Sequence, residues 1–181
     1  KHDVIRDFFN QFYEVLSPKE LPNVEPSPYN EYIWVLWWQG EDDMPPMVKK
    51  CYEQLLRFSN GHKVVLITKN NYYEYVNVPS QILCKVSTGQ MKYAHLSDYI
   101  RLQLLSNYGG LWIDSTFYMT RPLEVDCFKY PFYSIRFKKP LDNLCVGRYR
   151  YFVSFMACEP NNGIVYNTYK IFEKYWMNYS W

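Results

Sequence analysis

The sequence predicts an α/β domain built on a mostly parallel central sheet. A continuous apolar run at residues 33–38 (Ile-Trp-Val-Leu-Trp-Trp) reads as a buried strand, and residues 63–68 (Lys-Val-Val-Leu-Ile-Thr) read as a second. A helical stretch at residues 47–58 separates them, after a Pro45-Pro46 start. The alternation of apolar runs with longer helical patterns continues down the chain, which is the signature of an α/β fold.

The elements follow in order. Residues 4–16 place Val4, Ile5, Phe8, Phe9, Phe12, Val15 and Leu16 at helical spacing, the pattern of an amphipathic helix. Packing on the domain is its favoured use, and serving an acceptor or a membrane is the alternative. Residues 17–28 carry Pro18, Pro22, Pro26 and Pro28 and read as an extended connector. Residues 1–31 are thus expected to form an N-terminal helix and Pro-rich connector, and residues 32–181 the main domain. Beyond the second strand, a short helix is expected at 71–75 and a short extended segment at 81–86. A helix at 91–108 follows, then Gly109-Gly110, then a strand at 111–119. Further strands are expected near 132–137 and 151–157, and a helix over about 163–176.

Composition bounds the function. The chain has 181 residues, which suits one domain and barely two. It is 48% hydrophobic and 21% charged, which excludes a disordered chain. A net charge of +2 gives no electrostatic case for nucleic acid. The aromatic content is 20%, with 19 Tyr, 11 Phe and 6 Trp. Stacking on sugars or bases is one reading of that excess, and compositional bias is the favoured reading for most of the rings. The five cysteines, Cys51, Cys84, Cys127, Cys145 and Cys158, are widely spaced with no C-x-x-C. A disulfide framework or zinc site is not expected, and a reducing cytoplasm is. His2, His62 and His95 are too scattered for a metal cluster. No apolar run approaches the ~20 residues that span a bilayer. The chain begins at Lys1 and stays aromatic to Trp181, so a C-terminal continuation is expected. Neither G-x-G-x-x-G nor G-x-x-x-x-G-K-[ST] occurs, so the common phosphate cradles are absent.

The informative segment is the helix at 91–108. On a helical wheel Ala94, Leu96, Ile100, Leu102, Leu104, Leu105 and Tyr108 fill one broad arc. Lys92, His95, Tyr99, Gln103 and Ser106 fill the remainder. Ser97, Asp98 and Arg101 fall inside the apolar arc. Ionised groups are seldom buried without partners, and Asp98 and Arg101 are i,i+3 neighbours. They form either a structural ion pair or a pair facing a ligand cleft. Gly109-Gly110 suits a helix that stops and turns sharply into a strand. In that strand Trp112, Asp114, Thr116 and Tyr118 share a face by the period of two. Asp114 is either a turn residue or an oxygen ligand for a hard cation beside a diphosphate.

Residues 94–116 read Ala-His-Leu-Ser-Asp-Tyr-Ile-Arg-Leu-Gln-Leu-Leu-Ser-Asn-Tyr-Gly-Gly-Leu-Trp-Ile-Asp-Ser-Thr. This block resembles the S-D-x-x-R…Y-G-G-x-W-x-D-x-T signature of the capsular polysaccharide synthesis protein family, glycosyltransferases related to the sugar-binding DXD-motif transferases and distantly to glucosylating toxins. A weaker match is the first strand, which ends in Trp38-Gln39-Gly40. The resemblance covers roughly residues 32–176. It implies a GT-A-like nucleotide-binding sandwich that uses a UDP- or GDP-linked sugar, usually with Mn²⁺ or Mg²⁺. Trp38 matches the ring that stacks on the donor base. Asp98 and Arg101 match the pair at the donor sugar and ribose, and Asp114 the first acid of the D-x-D motif, at ribose and metal. Ser97, Gly110, Trp112 and Thr116 complete the implied donor-binding set, and Asp98, Arg101 and Asp114 the catalytic one. Thr116 stands where related families carry the second Asp, and a hydroxyl is the poorer cation ligand. The implied activity is transfer of a sugar, with retention, to a saccharide or lipid-linked glycan acceptor in surface polysaccharide synthesis. It implies a cytoplasmic protein, with peripheral association at the inner face of the membrane as a further option. The alternative is a catalytically inactive nucleotide-sugar or glycan-binding module. Arg136, Lys138, Lys139, Arg148 and Arg150 read as a solvated basic surface, or alternatively as diphosphate or acceptor contacts.

Overall fold

Alternate side chains of each strand point to opposite faces of the sheet, and here both faces are covered. The computed structural model of the chain describes residues 2–12, 31–123, 127–136 and 151–179. Its helices are α1 (His2–Asn10), α2 (Pro46–Phe58), α3 (Ser80–Ser87), α4 (Tyr93–Tyr108) and α5 (Gly163–Asn178). Its strands are β1 (Ile33–Leu36), β2 (Val64–Ile67), β3 (Gly110–Ile113), β4 (Phe132–Ser134) and β5 (Phe155–Cys158). They form one sheet in the order β2-β1-β3-β5-β4.

The sheet is mixed, which corrects the mostly parallel expectation. β1 pairs in parallel with β2 and with β3. β5 then runs antiparallel to both β3 and β4. The reason lies in the connections: helical crossovers return the chain to the same sheet end before β2 and β3, whereas no such helix stands between β4 and β5 among the described residues.

Period two sorts the core into two layers. Trp34, Leu36, Ile67, Trp112 and Met156 face α3, α4 and α5, where they meet Ile82, Leu96, Ile100, Val165 and Trp176. Ile33, Val35, Leu111, Ile113 and Phe155 face α2 through Val48, Tyr52 and Leu55. β1 therefore stands at a switch point: the chain leaves it by α2 on one face toward β2 and returns by α3 and α4 on the other toward β3. In open α/β sheets the crevice at such a point, outside the carboxyl ends of the strands, is where ligands bind.

Two local expectations change. Residues 81–86 are helical, not extended, since Ile82 and Val86 stand four apart and present one face to the core. The Pro79 carbonyl starts the turn by accepting from the backbone N–H groups of Ile82 and Leu83. The strand expected over 111–119 ends at Ile113, because the backbone turns at once: the Phe117 N–H bonds the Asp114 carbonyl at 2.8 Å. Helix α4 is also buried beyond its apolar arc. Tyr99, Gln103 and Ser106, expected on the open side, are 0%, 6% and 1% exposed, because α5 packs over them.

The N-terminal helix packs on the domain: Phe8 meets Tyr175 and Tyr179, and Phe12 is buried. The helix expected over 4–16 ends at Asn10 and gives way to a turn at 11–12, where the Phe12 N–H bonds the Phe9 carbonyl at 2.9 Å. Residues 13–16 and the Pro-rich connector lie outside the described residues, as do Lys138, Lys139, Arg148 and Arg150 of the basic group. Arg136 is exposed. Cys51, Cys84 and Cys158 are free thiols. No described helix is long and apolar enough to cross a membrane.

Candidate functional site

Gly109 sets the geometry at the far end of α4. Its φ is +69°, and a Cβ there would stand 2.7 Å from the Cys158 carbonyl oxygen. Only glycine lets α4 end against β5 and turn directly into β3. The Gly109 carbonyl accepts a hydrogen bond from Trp34 Nε1 at 2.9 Å, which ties β1 to the same turn. β1 and β3 are thereby fixed side by side, and their carboxyl ends open on one cleft.

That cleft has a volume of about 430 Å³. Trp38 and Gln39 reach it from beyond β1, Asp114, Ser115 and Thr116 from beyond β3, and Tyr93, Ser97 and Asp98 from the first turns of α4. Trp38 is half-buried, with its ring 5.1 Å from that of Tyr72 and 6.4 Å from that of Tyr93. Both neighbouring rings are tilted against it, at 40° and 37°.

Arg101 ties the two acids together. It is 6% exposed, against 37% for Asp98 and 31% for Asp114. One terminal nitrogen bonds Asp98 Oδ1, and the other reaches Asp114 Oδ1 at 3.4 Å and the Val153 carbonyl at 3.1 Å. The Arg101 Nε is buried without a partner. Trp112, fully buried behind the cleft, donates from Nε1 to Asp114 Oδ1 at 2.6 Å and lies 5.5 Å from the guanidinium over its ring. Two carboxylates against one guanidinium leave a net negative charge at the cleft. Burial pushes the Asp98 carboxyl above its ordinary range; Arg101 opposes this and the charge of Asp114 adds to it.

Of the residues singled out in the sequence, Trp38, Ser97, Asp98, Asp114 and Thr116 line this cleft together. Arg101 and Trp112 support it from behind. Gly110 does not reach it: it lies within β3, opposite Cys158 of β5. Tyr93, Gln39 and Ser115 line the cleft and were not singled out. Tyr93 stands four residues before Ser97, a helical spacing that could have flagged it. Nothing in the sequence links Val153 to Arg101. Among the described residues no three His, Cys, Asp or Glu side chains gather as a metal centre.

An α/β domain with a switch-point cleft holding an acid–arginine–acid cluster has the form of an α/β ligand-binding domain. A profile of the capsular polysaccharide synthesis protein family matches residues 1–181, and the chain belongs to that family. It is 28% identical over 111 residues to the O-glycosyltransferase PaGT of Phomopsis amygdali, a match covering 56% of this chain and 27% of that protein. It is 29% identical over 105 residues to the O-glycosyltransferase braB of Annulohypoxylon truncatum, covering 53% of this chain and 25% of that protein. The match thus spans about a quarter of the length of these curated relatives. No solved structure matches the chain.

Proposed function

We propose that the protein is a glycosyltransferase that holds a nucleotide-sugar donor in the Trp38–Asp114 cleft and passes its sugar to an acceptor hydroxyl, with retention, in a GT-A-like arrangement. The observation that carries this reading is the meeting of Asp98, Arg101 and Asp114 with Trp38 at the carboxyl ends of β1 and β3. The names of the two relatives support transfer to oxygen. The family description supports a saccharide or lipid-linked glycan acceptor in surface polysaccharide synthesis.

Each residue has a physical task. Trp38 stacks on the base, an interaction of about 1–3 kcal/mol per base. Asp98 accepts from sugar hydroxyls and Asp114 from the ribose. Arg101 holds both carboxylates in place, so that the donor meets a preorganised site. A Mn²⁺ or Mg²⁺ would be held by Asp114 with the Thr116 hydroxyl beside it. The residues fit an ion that takes few protein ligands, because such ions draw the rest of their shell from phosphate and water. When bound it would neutralise charge on the departing diphosphate.

The test is donor hydrolysis and transfer with UDP- and GDP-linked sugars, with and without Mn²⁺. Asp114→Asn should lower kcat/KM for the donor by ~10²-fold or more with the fold retained. Donor binding without turnover would favour the binding-module alternative. No binding of any donor would sink both.

A further inference from the structure

A second cavity, of about 440 Å³, adjoins the same ion pair. Asp98 lines both this cavity and the Trp38 cleft. Arg101 lines the second cavity while reaching Asp114 in the first. The remaining wall is almost wholly apolar: Leu102 of α4, Phe132 of β4, Val153 and Met156 near β5, and Ile164 and Phe172 of α5. The lining also holds two hydroxyl groups, those of Tyr151 and Thr168. The Thr168 hydroxyl already donates to the Ile164 carbonyl at 2.6 Å.

The mouth of this cavity is apolar too. Ile164 is 65% exposed, Tyr151 53% and Val153 41%. Exposed apolar groups gathered around a concavity mark a binding surface, whereas scattered ones need no explanation. The volume falls in the range of small-molecule sites. Its chemistry is one-sided, with charge only at the Asp98–Arg101 end. An oligosaccharide would bury many hydroxyls here with few partners, and each unpaired one opposes binding. A molecule with an apolar body and a hydroxyl at one end matches the wall along its length.

We propose that this cavity is the acceptor site, and that it takes hydroxyl-bearing acceptors with an apolar body, aromatic or aliphatic. The assignment rests on the glycosyl-transfer reading above and departs from its acceptor, putting an apolar alcohol or phenol in place of a saccharide. The acceptor hydroxyl lies at Asp98, which accepts its hydrogen bond and turns its oxygen toward the donor cleft. That oxygen forms the new bond to the anomeric carbon. The bond from the anomeric carbon to the diphosphate oxygen breaks, its electron pair leaves with the diphosphate, and the hydroxyl proton passes to the Asp98 carboxylate that already accepts it. The raised proton affinity of Asp98 agrees with a carboxyl between two partly desolvated cavities.

The experiment uses the full chain, with 2-naphthol and 1-octanol as apolar acceptors and maltose as the hydrophilic control. Transfer should favour the apolar acceptors by at least ~10-fold in kcat/KM. Ile164→Asp places a charge on the rim at the start of α5, where an acidic side chain suits the helix. It should raise KM for 2-naphthol by ~10-fold, the equivalent of about 1.4 kcal/mol, while KM for the donor moves less than twofold. Tyr151→Asp should do the same from another part of the rim, and thermal melting reports whether each variant folds. Preference for maltose, or an unchanged 2-naphthol KM in both folded variants, overturns the acceptor assignment alone. Absence of donor hydrolysis as well as transfer in the wild type overturns the glycosyl-transfer reading and the assignment with it.

Discussion

Helix α4 contributes to two polar clusters, and burial pushes the carboxyl of each upward, yet their net shifts run in opposite directions. Asp98 and Arg101 reach down to Asp114 at the cleft. Tyr99 and Gln103, on the side covered by α5, meet Tyr169 and Glu173. Burial pushes the Glu173 carboxyl up, but hydrogen bonds from Tyr169 (2.7 Å), Tyr99 (2.8 Å) and Lys170 (3.1 Å) outweigh it, and the net shift is downward. Tyr99 and Tyr169 are themselves pushed up, first by burial, so both phenols remain donors. Around Asp98 burial also pushes upward, but the guanidinium it shares with Asp114 is not enough, and the net shift is upward. In one cluster the Glu173 carboxylate finds its donors within the protein and locks two helices together, while Gln103 Oε1 stays buried without a partner. The other sets one guanidinium against two carboxylates, and a cation or a sugar hydroxyl supplies what those carboxylates lack.

The strongest way to break this contrast is Arg101→Ala. It leaves two adjacent carboxylates without their common partner and opens a gap against Trp112. Removing one partner of a fully buried pair costs 3–5 kcal/mol, and the partial exposure of Asp98 and Asp114 brings the expected loss to about 2–3 kcal/mol. Donor turnover should fall by more than ~10²-fold. Urea unfolding and donor kinetics on one preparation measure both effects. A stable variant with intact turnover would mean that Arg101 holds neither acid for function.

Glu173→Gln tests the other cluster. The amide keeps the shape but weakens the bonds from Tyr99 and Tyr169 and leaves Lys170 without its charge partner. A loss of about 1–2 kcal/mol is expected, with kcat and KM for donor unchanged, since Glu173 lines neither the Trp38 cleft nor the cavity beside Arg101. A kinetic defect without a stability defect would erase the distinction between lock and site.

Most of the contrast was readable from one end only. The anomaly of Asp98 and Arg101 inside an apolar arc showed in the sequence, since a charge in a greasy stripe demands a partner. So did Asp114 after Gly109-Gly110, because the glycine pair announces the turn. The lock was invisible: Tyr99 and Gln103 look like a solvent face until α5, some 60 residues later, covers them. The antiparallel β5 and the Val153 carbonyl at Arg101 were hidden for the same reason. Periodicity reports which face of an element is buried, and not which later element buries a polar one. The helix over 80–87 was missed because Ile82 and Val86 favour strands by propensity, while their spacing of four suits a helix.

The smallest expected effect is the most specific, because the two carboxylates give opposite signs. A carboxyl whose folded pKa is lowered adds stability above its ordinary value and loses it as pH falls through the folded one. For Glu173 that loss begins near 4.5 and continues below. A carboxyl whose folded pKa is raised binds its proton more tightly when folded, so its penalty is absent below the ordinary 3.8 and grows as pH rises through the raised value. Thermal melting from pH 7 to pH 3 should therefore show wild type losing ground to Glu173→Gln on acidification. Over the same range wild type should gain ground on Asp98→Asn. Two difference curves of opposite slope would identify one carboxylate as satisfied by the fold and the other as waiting for a ligand. Parallel slopes would mean that both acids belong to the scaffold.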